Sequence, residues 1–174
     1  DSFSIFLDVL KKSETLSFLK AYGTYTCFAP TNEAFNSYFS ERGIASVDAM
    51  DPAQLKDLVR FCVIKDTIRS EEFVDGRMRT PSLQGQYLTY GTFFEEGRLI
   101  RRINKVAELE QIDIKTSNGI IHTLKKVIEP EVKTIAQYIE SLGSYSIYTK
   151  ALKETGYYDT LNVLPTAQTD TLRY

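Results

Sequence analysis

The 174-residue chain has no tryptophan, one histidine and two cysteines, and this scarcity limits the chemistry that it can support. A structural zinc site needs about four nitrogen or sulfur ligands. Cys27, Cys62 and His122 are the available candidates, and their spacing matches no zinc-binding motif. The composition therefore argues against a structural metal site, and we expect the protein to need no cofactor.

The sequence also lacks a large excess of charge of one sign and a long hydrophobic run. Its 21 basic and 23 acidic side chains give a net charge of -2, which is too small to attract a polyanion. Nucleic acid is therefore not an expected partner. A membrane-spanning helix needs roughly 20 apolar residues, and no window of the sequence approaches that length. With 43% hydrophobic residues, the composition is typical of a soluble globular domain.

Motifs of common enzyme mechanisms are missing as well: the sequence contains no GxSxG elbow, GxGxxG loop or Walker loop. The pairs Glu71-Glu72 and Glu95-Glu96 could serve acid–base chemistry or calcium binding, but adjacent carboxylates in turns are usually solvated. His122 could be a catalytic base, although a single imidazole on a strand is more often a structural hydrogen-bonding group. We therefore predict a protein that is not an enzyme, with no catalytic residue and no metal ligand.

The first part of the sequence has the periodicity of helices arranged around one buried strand. Phe3, Phe6, Leu7 and Leu10 recur at helical spacing. Asp51 and Pro52 are a typical helix start. The predicted elements are a helix from Phe3, a short helix ending near Gly23, a strand over Tyr25–Ala29, a helix starting at Thr31 or Asn32 and ending before Gly43, and a helix from Pro52 to about Arg60.

From roughly Arg77 to Ile128 the hydrophobic period changes to two, which indicates strands. The strand-like segments are Tyr87–Tyr90, Arg98–Ile103 and Gln111–Thr116. Asn118-Gly119, between two alternating segments, predicts a hairpin. Helices followed by an antiparallel meander, without regular βαβ alternation, predict the α+β class.

After Pro130 the helical period returns, and it echoes the start of the chain. The segment YSIYTKALKE (Tyr145–Glu154) aligns with FSIFLDVLKK (Phe3–Lys12), sharing four identical residues and two aromatic pairs. Self-similarity at about one domain length indicates a tandem repeat. We therefore predict one domain over residues 1–130 and, over residues 131–174, the helical start of a second, truncated unit.

Two longer segments carry a resemblance to a known family. TCFAPTNEAF (Thr26–Phe35) and NGIIHTLKKVIEP (Asn118–Pro130) resemble the two signature motifs of the fasciclin, or FAS1, domain, and Leu55–Phe73 resembles the stretch between them. The resemblance implies an α+β wedge of about seven mostly antiparallel strands flanked by several α-helices. It also implies a secreted or surface-anchored protein, extracellular or at the cell surface, that acts in adhesion.

The residues of both motifs have structural explanations. Pro30 ends the strand, Thr31 or Asn32 caps the next helix, and His122 is expected inside a sheet near the first motif. We predict that His122 is buried and hydrogen-bonded to the segment from Thr31 to Asn36. The signature residues predicted to be structural are Phe28, Ala29, Pro30, Thr31, Asn32, Phe35, Asn118, Gly119 and His122.

The predicted function is that of a non-enzymatic adhesion or protein-interaction module in a tandem fasciclin-type protein. The alternative is a carbohydrate-binding surface module that uses aromatic and basic residues between Tyr87 and Lys105. Candidate contacts for a protein or a surface glycan are Tyr87, Tyr90, Arg98, Arg101 and Arg102. Strand alternation places Arg98 and Arg102 on one face and Arg101 on the other. The arginines could equally be a charged edge that prevents aggregation.

Cys27 and Cys62 could form a disulfide in an exported protein. Each lies in an apolar run, TCFA or FCVI, so two buried free thiols are the simpler interpretation. At Phe61-Cys62 many fasciclin domains carry Tyr-His, a pair associated with receptor contact in some animal adhesion members; its absence argues against integrin-type binding. The helices of residues 131–161 carry apolar stripes that must pack somewhere, either on the first unit or on a neighbouring copy. A homodimer through these helices is therefore a further prediction.

Overall fold

The computed structural model describes residues 2–20 and 23–163 and divides the chain into two compact units, residues 1–130 (unit 1) and 131–174 (unit 2). Residues 164–174 of the predicted second unit lie outside the described part. The helices are α1 Ser4–Lys12, α2 Thr15–Lys20, α3 Asn32–Arg42, α4 Pro52–Phe61, α5 Ile135–Ser141, α6 Ser146–Glu154 and α7 Tyr157–Leu161. The strands are β1 Tyr25–Pro30, β2 Val63–Ile64, β3 Gly76–Arg77, β4 Thr89–Glu95, β5 Arg98–Ile103, β6 Ala107–Glu108, β7 Ile114–Thr116 and β8 Gly119–Leu124.

These elements confirm the predicted α+β class. The described residues contain eight strands, close to the seven expected, in two four-stranded sheets with the orders β2-β1-β8-β7 and β3-β4-β5-β6. Within these sheets the pairing of β1 with β8 is parallel and the other pairings are antiparallel. The strands are thus mostly antiparallel, as predicted.

The corner between β1 and α3 follows the sequence prediction. Pro30 is the last residue of β1, and Thr31 has an extended backbone whose Oγ1 accepts a hydrogen bond of 3.2 Å from the N–H of Ala34. Gly43 ends α3 in the left-handed conformation, with φ of 65°. Phe28 and Phe35 emerge on the two sides of this corner and are fully buried in the core of unit 1.

The β7–β8 hairpin confirms the predicted turn but assigns Gly119 a different role. Thr116 pairs with Gly119, so Ser117 and Asn118 form the turn, and Gly119 does not have a positive φ. A Cβ atom on Gly119 would lie 2.0 Å from the backbone oxygen of Tyr25 on β1. Glycine is therefore required because the backbone of β1 approaches closely, not because of the turn conformation.

Unit 2 contains three α-helices within its described residues, and two of them begin at positions that the alignment pairs with helix starts in unit 1. Helices α1 and α6 both contain nine residues and begin at the aligned serines, Ser4 and Ser146. Thr15 and Tyr157, which start α2 and α7, are also equivalent by the same alignment. The helix starts of α6 and α7 therefore match those of α1 and α2 in the alignment.

Replacing Gly119 with alanine should destabilise the protein, because the added methyl group meets backbone that cannot rotate away. We expect the free energy of unfolding to fall by about 1 to 3 kcal/mol, which is the usual cost of an overpacked site. Gly143→Ala is the matched control, since a Cβ there has no neighbour within 4 Å. Urea unfolding of both variants tests this; equal stabilities would contradict it.

Candidate interaction surfaces

His122 lies at the centre of unit 1 and is fully buried, as predicted. It pairs with Phe28 in the β1–β8 register, and the two rings stack with centroids 5.4 Å apart. The ring of Phe73 lies 5.0 Å away on another side. The imidazole is therefore enclosed by aromatic side chains.

The predicted hydrogen-bond partners of His122 are wrong. Its Nδ1 accepts from the backbone N–H of Asp113 at 3.2 Å, and its Nε2 lies 3.0 Å from the carbonyl oxygen of Ile68. A backbone hydrogen bond joins the segment from Thr31 to Asn36 to β8 instead: the N–H of Thr31 donates to the carbonyl oxygen of Leu124 at 3.1 Å. The imidazole faces the connection after β2 because strand alternation points it away from the corner.

This environment favours the neutral imidazole. Because Nδ1 accepts a hydrogen bond, the proton is on Nε2, which donates to Ile68. Burial lowers the pKa of His122, against the opposing effects of the Ile68 carbonyl and the Asp113 carboxylate. Both ring nitrogens are engaged by backbone, so the geometry gives His122 a structural role in joining three segments.

Two motif asparagines fix the N-terminal helices to the sheet, a role that the sequence analysis missed. Asn32 accepts from the N–H of Ile5 through Oδ1 at 2.9 Å, and its Nδ2 donates to Ser4 Oγ at 2.9 Å. Asn118 Nδ2 donates to the carbonyl of Leu19 at 2.7 Å. The signature motifs therefore hold the start of α1 and the end of α2, and these long-range bonds leave no local sequence signal.

A groove of about 720 Å³, here called the α1–α2 groove, lies between those helices and the sheet of β1, β8 and β7. Cys27, Ile114 and Ile121 line its sheet side. Its helical side includes Leu7, which is 43% exposed, and Leu16. A largely apolar, concave surface of this size is suited to binding.

The two cysteines are free, as predicted, although Cys27 on β1 pairs with Val63, the residue that follows Cys62. Cys62 is completely buried, whereas Cys27 is half-buried and lines the α1–α2 groove, so the prediction of two inaccessible thiols is wrong for Cys27. Burial raises the pKa of Cys27 to about 12 and raises the pKa of Cys62 well above its ordinary value. Both thiols are therefore poor nucleophiles at neutral pH.

The hairpin of β4 and β5 carries the candidate arginines. Its register places Arg98 and Arg102 on one face and Arg101 on the other, as predicted. Arg102 forms a two-pronged ion pair with Glu95 at 2.7 and 2.5 Å and lies over the ring of Phe93, so its charge is already compensated. Arg98 and Arg101 are exposed on opposite faces. The arginines therefore do not form one basic patch.

The two candidate tyrosines are also separated. Tyr90 is buried against Phe73, with ring centroids 4.9 Å apart, and is not available at the surface. Tyr87 is half-buried, and the guanidinium of Arg77 lies 4.2 Å from the centre of its ring. The structure therefore does not assemble Tyr87, Tyr90 and the arginines into one exposed groove.

The acidic pairs Glu71-Glu72 and Glu95-Glu96 lie at the surface, as predicted. The pKa of Glu72 is lowered, first by a hydrogen bond from the backbone N–H of Arg69 and second by the ion pair with Arg79. No cluster of three or more histidine, cysteine or acidic side chains suited to a metal ion occurs among the described residues. Within the same residues, no helix combines the length and the apolar character that crossing a membrane requires.

The sequence profile of the Fasciclin domain matches residues 1–130, which cover both signature motifs and the whole of unit 1. The chain belongs to the fasciclin domain family. The family resemblance stated from the motifs is thereby confirmed.

Fasciclin relatives come from distant organisms and differ greatly in length. Protein sll1483 of Synechocystis is 28% identical over 75% of this chain and 68% of its own length. Human periostin is 29% identical over 82% of the chain, and human stabilin-1 is 30% identical over 75%. The chain spans 16% of periostin and 5% of stabilin-1, so the activities of those whole proteins do not transfer with the match.

A solved structure of a FAS1 domain pair, from the insect cell adhesion molecule fasciclin I, has the same fold. The TM-score is 0.56 at 21% sequence identity, and the match covers 91% of this chain and 55% of that one. At 21% sequence identity, the similarity shows a shared fold and nothing about function.

Replacing His122 with glutamine should lower the free energy of unfolding at neutral pH by about 1 to 3 kcal/mol, the cost of leaving buried polar groups without good partners. It should also change the pH dependence. The folded-state pKa of His122 is depressed below 6.5, so the unfolded state binds more protons as the pH falls through that value, and the wild type loses stability. The glutamine variant cannot lose stability in this way.

Chemical unfolding of both proteins between about pH 7.5 and 5 measures this difference. The stability gap between them should narrow as the pH falls. A gap that stays constant, or that widens in acid, would contradict a buried neutral imidazole.

Thiol labelling should distinguish the two cysteines. At about pH 8 the raised pKa values should make the native protein react far more slowly than a free thiol, with Cys62 protected throughout and Cys27 modified first. In denaturant both should react at once. Mass spectrometry after labelling gives the sites, and a mass that rises on reduction alone would reveal a disulfide and contradict the free thiols.

Proposed function

We propose that this chain is a non-enzymatic protein-interaction module of an adhesion protein located outside the cell or at its surface. Membership of the fasciclin family and similarity to a domain pair from a cell adhesion molecule support this assignment. The repeat of α1–α2 as α6–α7 supports a tandem arrangement, in which residues 131–174 begin a second fasciclin-like unit.

The observation that carries the proposal is an exposed apolar pair at the tip of the β4–β5 hairpin. Phe94 and Leu99 are directly opposite in the register, and they are 75% and 62% exposed. Glu95, Glu96 and Arg98 surround them with charge of both signs. A projecting apolar centre with a charged rim is the usual composition of a protein interface.

Carbohydrate recognition is the alternative, and the geometry supports it less well. Sugars bind in clefts where an exposed ring can stack on the pyranose face, next to polar groups. Tyr90 is buried and one face of Tyr87 is occupied by Arg77. Arg98 and Arg101 stay accessible on opposite faces, so a glycan could engage them singly but not together with the tyrosines.

The test is binding of the labelled chain to arrays of immobilised extracellular proteins and of glycans. We expect a protein ligand whose binding is lost, by about tenfold or more in affinity, on Phe94→Ser. Val106→Ser is the matched control, because Val106 is also exposed but lies beyond the other end of β5. Glycan binding that survives Phe94→Ser and fails on Arg101→Ala would replace the proposal with its alternative.

A further inference from the structure

A cleft of about 310 Å³ lies between α2 and α4 of unit 1 and is here called the α2–α4 cleft. Charged groups of both signs and an aromatic ring meet in it. The side chains that carry these groups are Glu14 in the turn between α1 and α2, Phe18 on α2, and Lys56 and Arg60 on α4. A concave surface of this volume is at the lower end of the range for small-ligand sites.

The α2–α4 cleft is separate from the α1–α2 groove, and the two share no lining residue. In unit 2, helix α5 contacts Lys153 and Tyr158. The alignment makes these residues equivalent to Lys11 and Leu16, which line the groove and not the cleft. A helix placed on unit 1 as α5 is placed on unit 2 would therefore leave the cleft open.

Backbone groups hold the guanidinium of Arg60 in a fixed direction. Its Nε and Nη2 both donate to the carbonyl oxygen of Leu83, at 3.1 and 2.7 Å. Leu83 is itself anchored, since its N–H donates to Val63 at 2.8 Å. These bonds use one edge of the guanidinium and leave the other edge, between Nη1 and Nη2, without a partner in the described part of the chain. Such an edge offers two parallel N–H groups, the arrangement that binds a carboxylate with two hydrogen bonds.

The positive charge of the cleft is not compensated. Lys56 lies one turn before Arg60 on the same side of α4, and like charges at this spacing destabilise a helix. Asp57 is spaced to pair with Arg60, but the guanidinium turns to Leu83 instead. The ion pairs formed by the described residues include none of these side chains, nor Glu14 across the cleft. The charges of the cleft are therefore available to a ligand.

Glu14 occupies a backbone position that favours glycine. Its φ is 58°, in the left-handed region, and the aligned residue of unit 2 is Gly156, with a φ of 76°. The turn is fixed on both sides of Glu14, because the buried hydroxyls of Ser13 and Thr15 are hydrogen-bonded at 2.9 Å. Unit 1 thus carries a carboxylate where glycine would be unstrained, and local strain of this kind is typical of functional sites.

Phe18 adds a flat apolar surface to the cleft. Its side chain is 44% exposed. The ring packs on that of the buried Tyr25 at an angle of 61°, with centroids 5.6 Å apart, which fixes its orientation. An exposed aromatic ring beside polar groups can stack on the apolar face of a sugar ring.

We propose that the α2–α4 cleft binds a hexuronate unit of an acidic glycan. The carboxylate of the sugar accepts hydrogen bonds from the free edge of Arg60 and is attracted by Lys56. A ring hydroxyl donates to Glu14, and the apolar face of the sugar stacks on Phe18. A neutral sugar would leave both cations without a partner. A peptide that is acidic along its whole length would be repelled by Glu14, whereas a hexuronate presents hydroxyls beside a single carboxylate.

Calorimetric titration of the full chain with tetramers of galacturonate and of glucuronate tests the proposal. We expect at least one acidic tetramer to bind, and its methyl ester, which keeps the sugar rings but removes the charge, to bind about tenfold or more weakly. The affinity should also fall as the salt concentration rises. A chain that binds neither tetramer, or that binds the ester as well as the acid, would overturn the proposal.

Variants of the two cations locate the binding. Arg60→Gln should weaken binding of the tetramer by about tenfold or more. Lys56→Gln should weaken it as well, and it cannot disturb folding through a lost contact, because Lys56 is exposed and takes part in none of the ion pairs of the described residues. Arg101→Gln is the matched control, since it removes an exposed arginine of β5 with the same change in net charge. Equal losses in all three variants would show a general effect of charge and contradict the site.

Glu14→Gly separates binding from folding. Glycine adopts the left-handed conformation without strain, so urea unfolding should show an equal or higher free energy of unfolding. The affinity for the tetramer should nevertheless fall several-fold. A variant that keeps full affinity would remove Glu14 from the site and refute the proposed contact. A hexaglutamate peptide that binds instead of the sugars, with the same dependence on Arg60, would assign the cleft to acidic peptides and also overturn the proposal.

This inference does not rest on the proposed function, because the cleft and the hairpin tip are different surfaces. Phe94→Ser should leave binding of the tetramer unchanged, and Arg60→Gln should leave binding of the external protein ligand unchanged. Arg101→Ala, which tests a glycan site on the hairpin, should not affect the cleft. Failure of one proposal therefore leaves the other intact.

Discussion

The parallel pairing of β1 and β8 is the constraint on which the rest of unit 1 depends. The two strands come from opposite ends of the domain sequence, and their backbones approach so closely at Gly119 that no side chain fits. This contact places Phe28 beside His122 and Thr31 beside Leu124. The two signature motifs are therefore one structural unit.

The same strand pair determines where surfaces for binding can form. Asn32 and Asn118, one from each motif, hold the beginning of α1 and the end of α2 above the sheet. The helices are thus fixed at their outer ends, and the space between them and the sheet remains as a groove. On the other side, the β4–β5 hairpin extends beyond the core, which leaves Phe94 and Leu99 in solvent. The asparagine contacts therefore position the groove, and the β4–β5 hairpin carries the second accessible apolar surface.

Sequence reasoning predicted the features that depend on local chemistry. The α+β class, the corner at Pro30, the cap at Thr31 and the alternation of the arginines on β5 follow from periodicity and from short-range hydrogen bonding. Sequence reasoning failed for residues whose contact partners are distant in the sequence. The partners of His122 are backbone groups of Ile68 and Asp113, and the reason for Gly119 is the carbonyl of Tyr25.

The burial of individual side chains also could not be predicted from the sequence. Tyr87 and Tyr90 have the same chemistry and nearly the same position in sequence, yet one is half-exposed and the other packs on Phe73. Tyr90 lies within β4 and contacts Phe73, whereas Tyr87 precedes the strand and contacts Arg77. A glycan site proposed from composition alone therefore combined residues that the fold separates.

The sequence repeat relates the first helices of unit 1 to the last helices of unit 2, which have matching starts in the alignment. A repeated supersecondary element presents the same surface each time it occurs, and it is stable only when its neighbour covers that surface. Here α5 packs on α6 and α7, and the α1–α2 groove of unit 1 lies between the equivalent helices and a sheet. On α5 itself, Ile135 and Tyr138 are more than half exposed. The same helix pair therefore has different neighbours in the two units: α3 and α4 pack on α1 in unit 1, whereas α5 packs on α6 and α7 in unit 2.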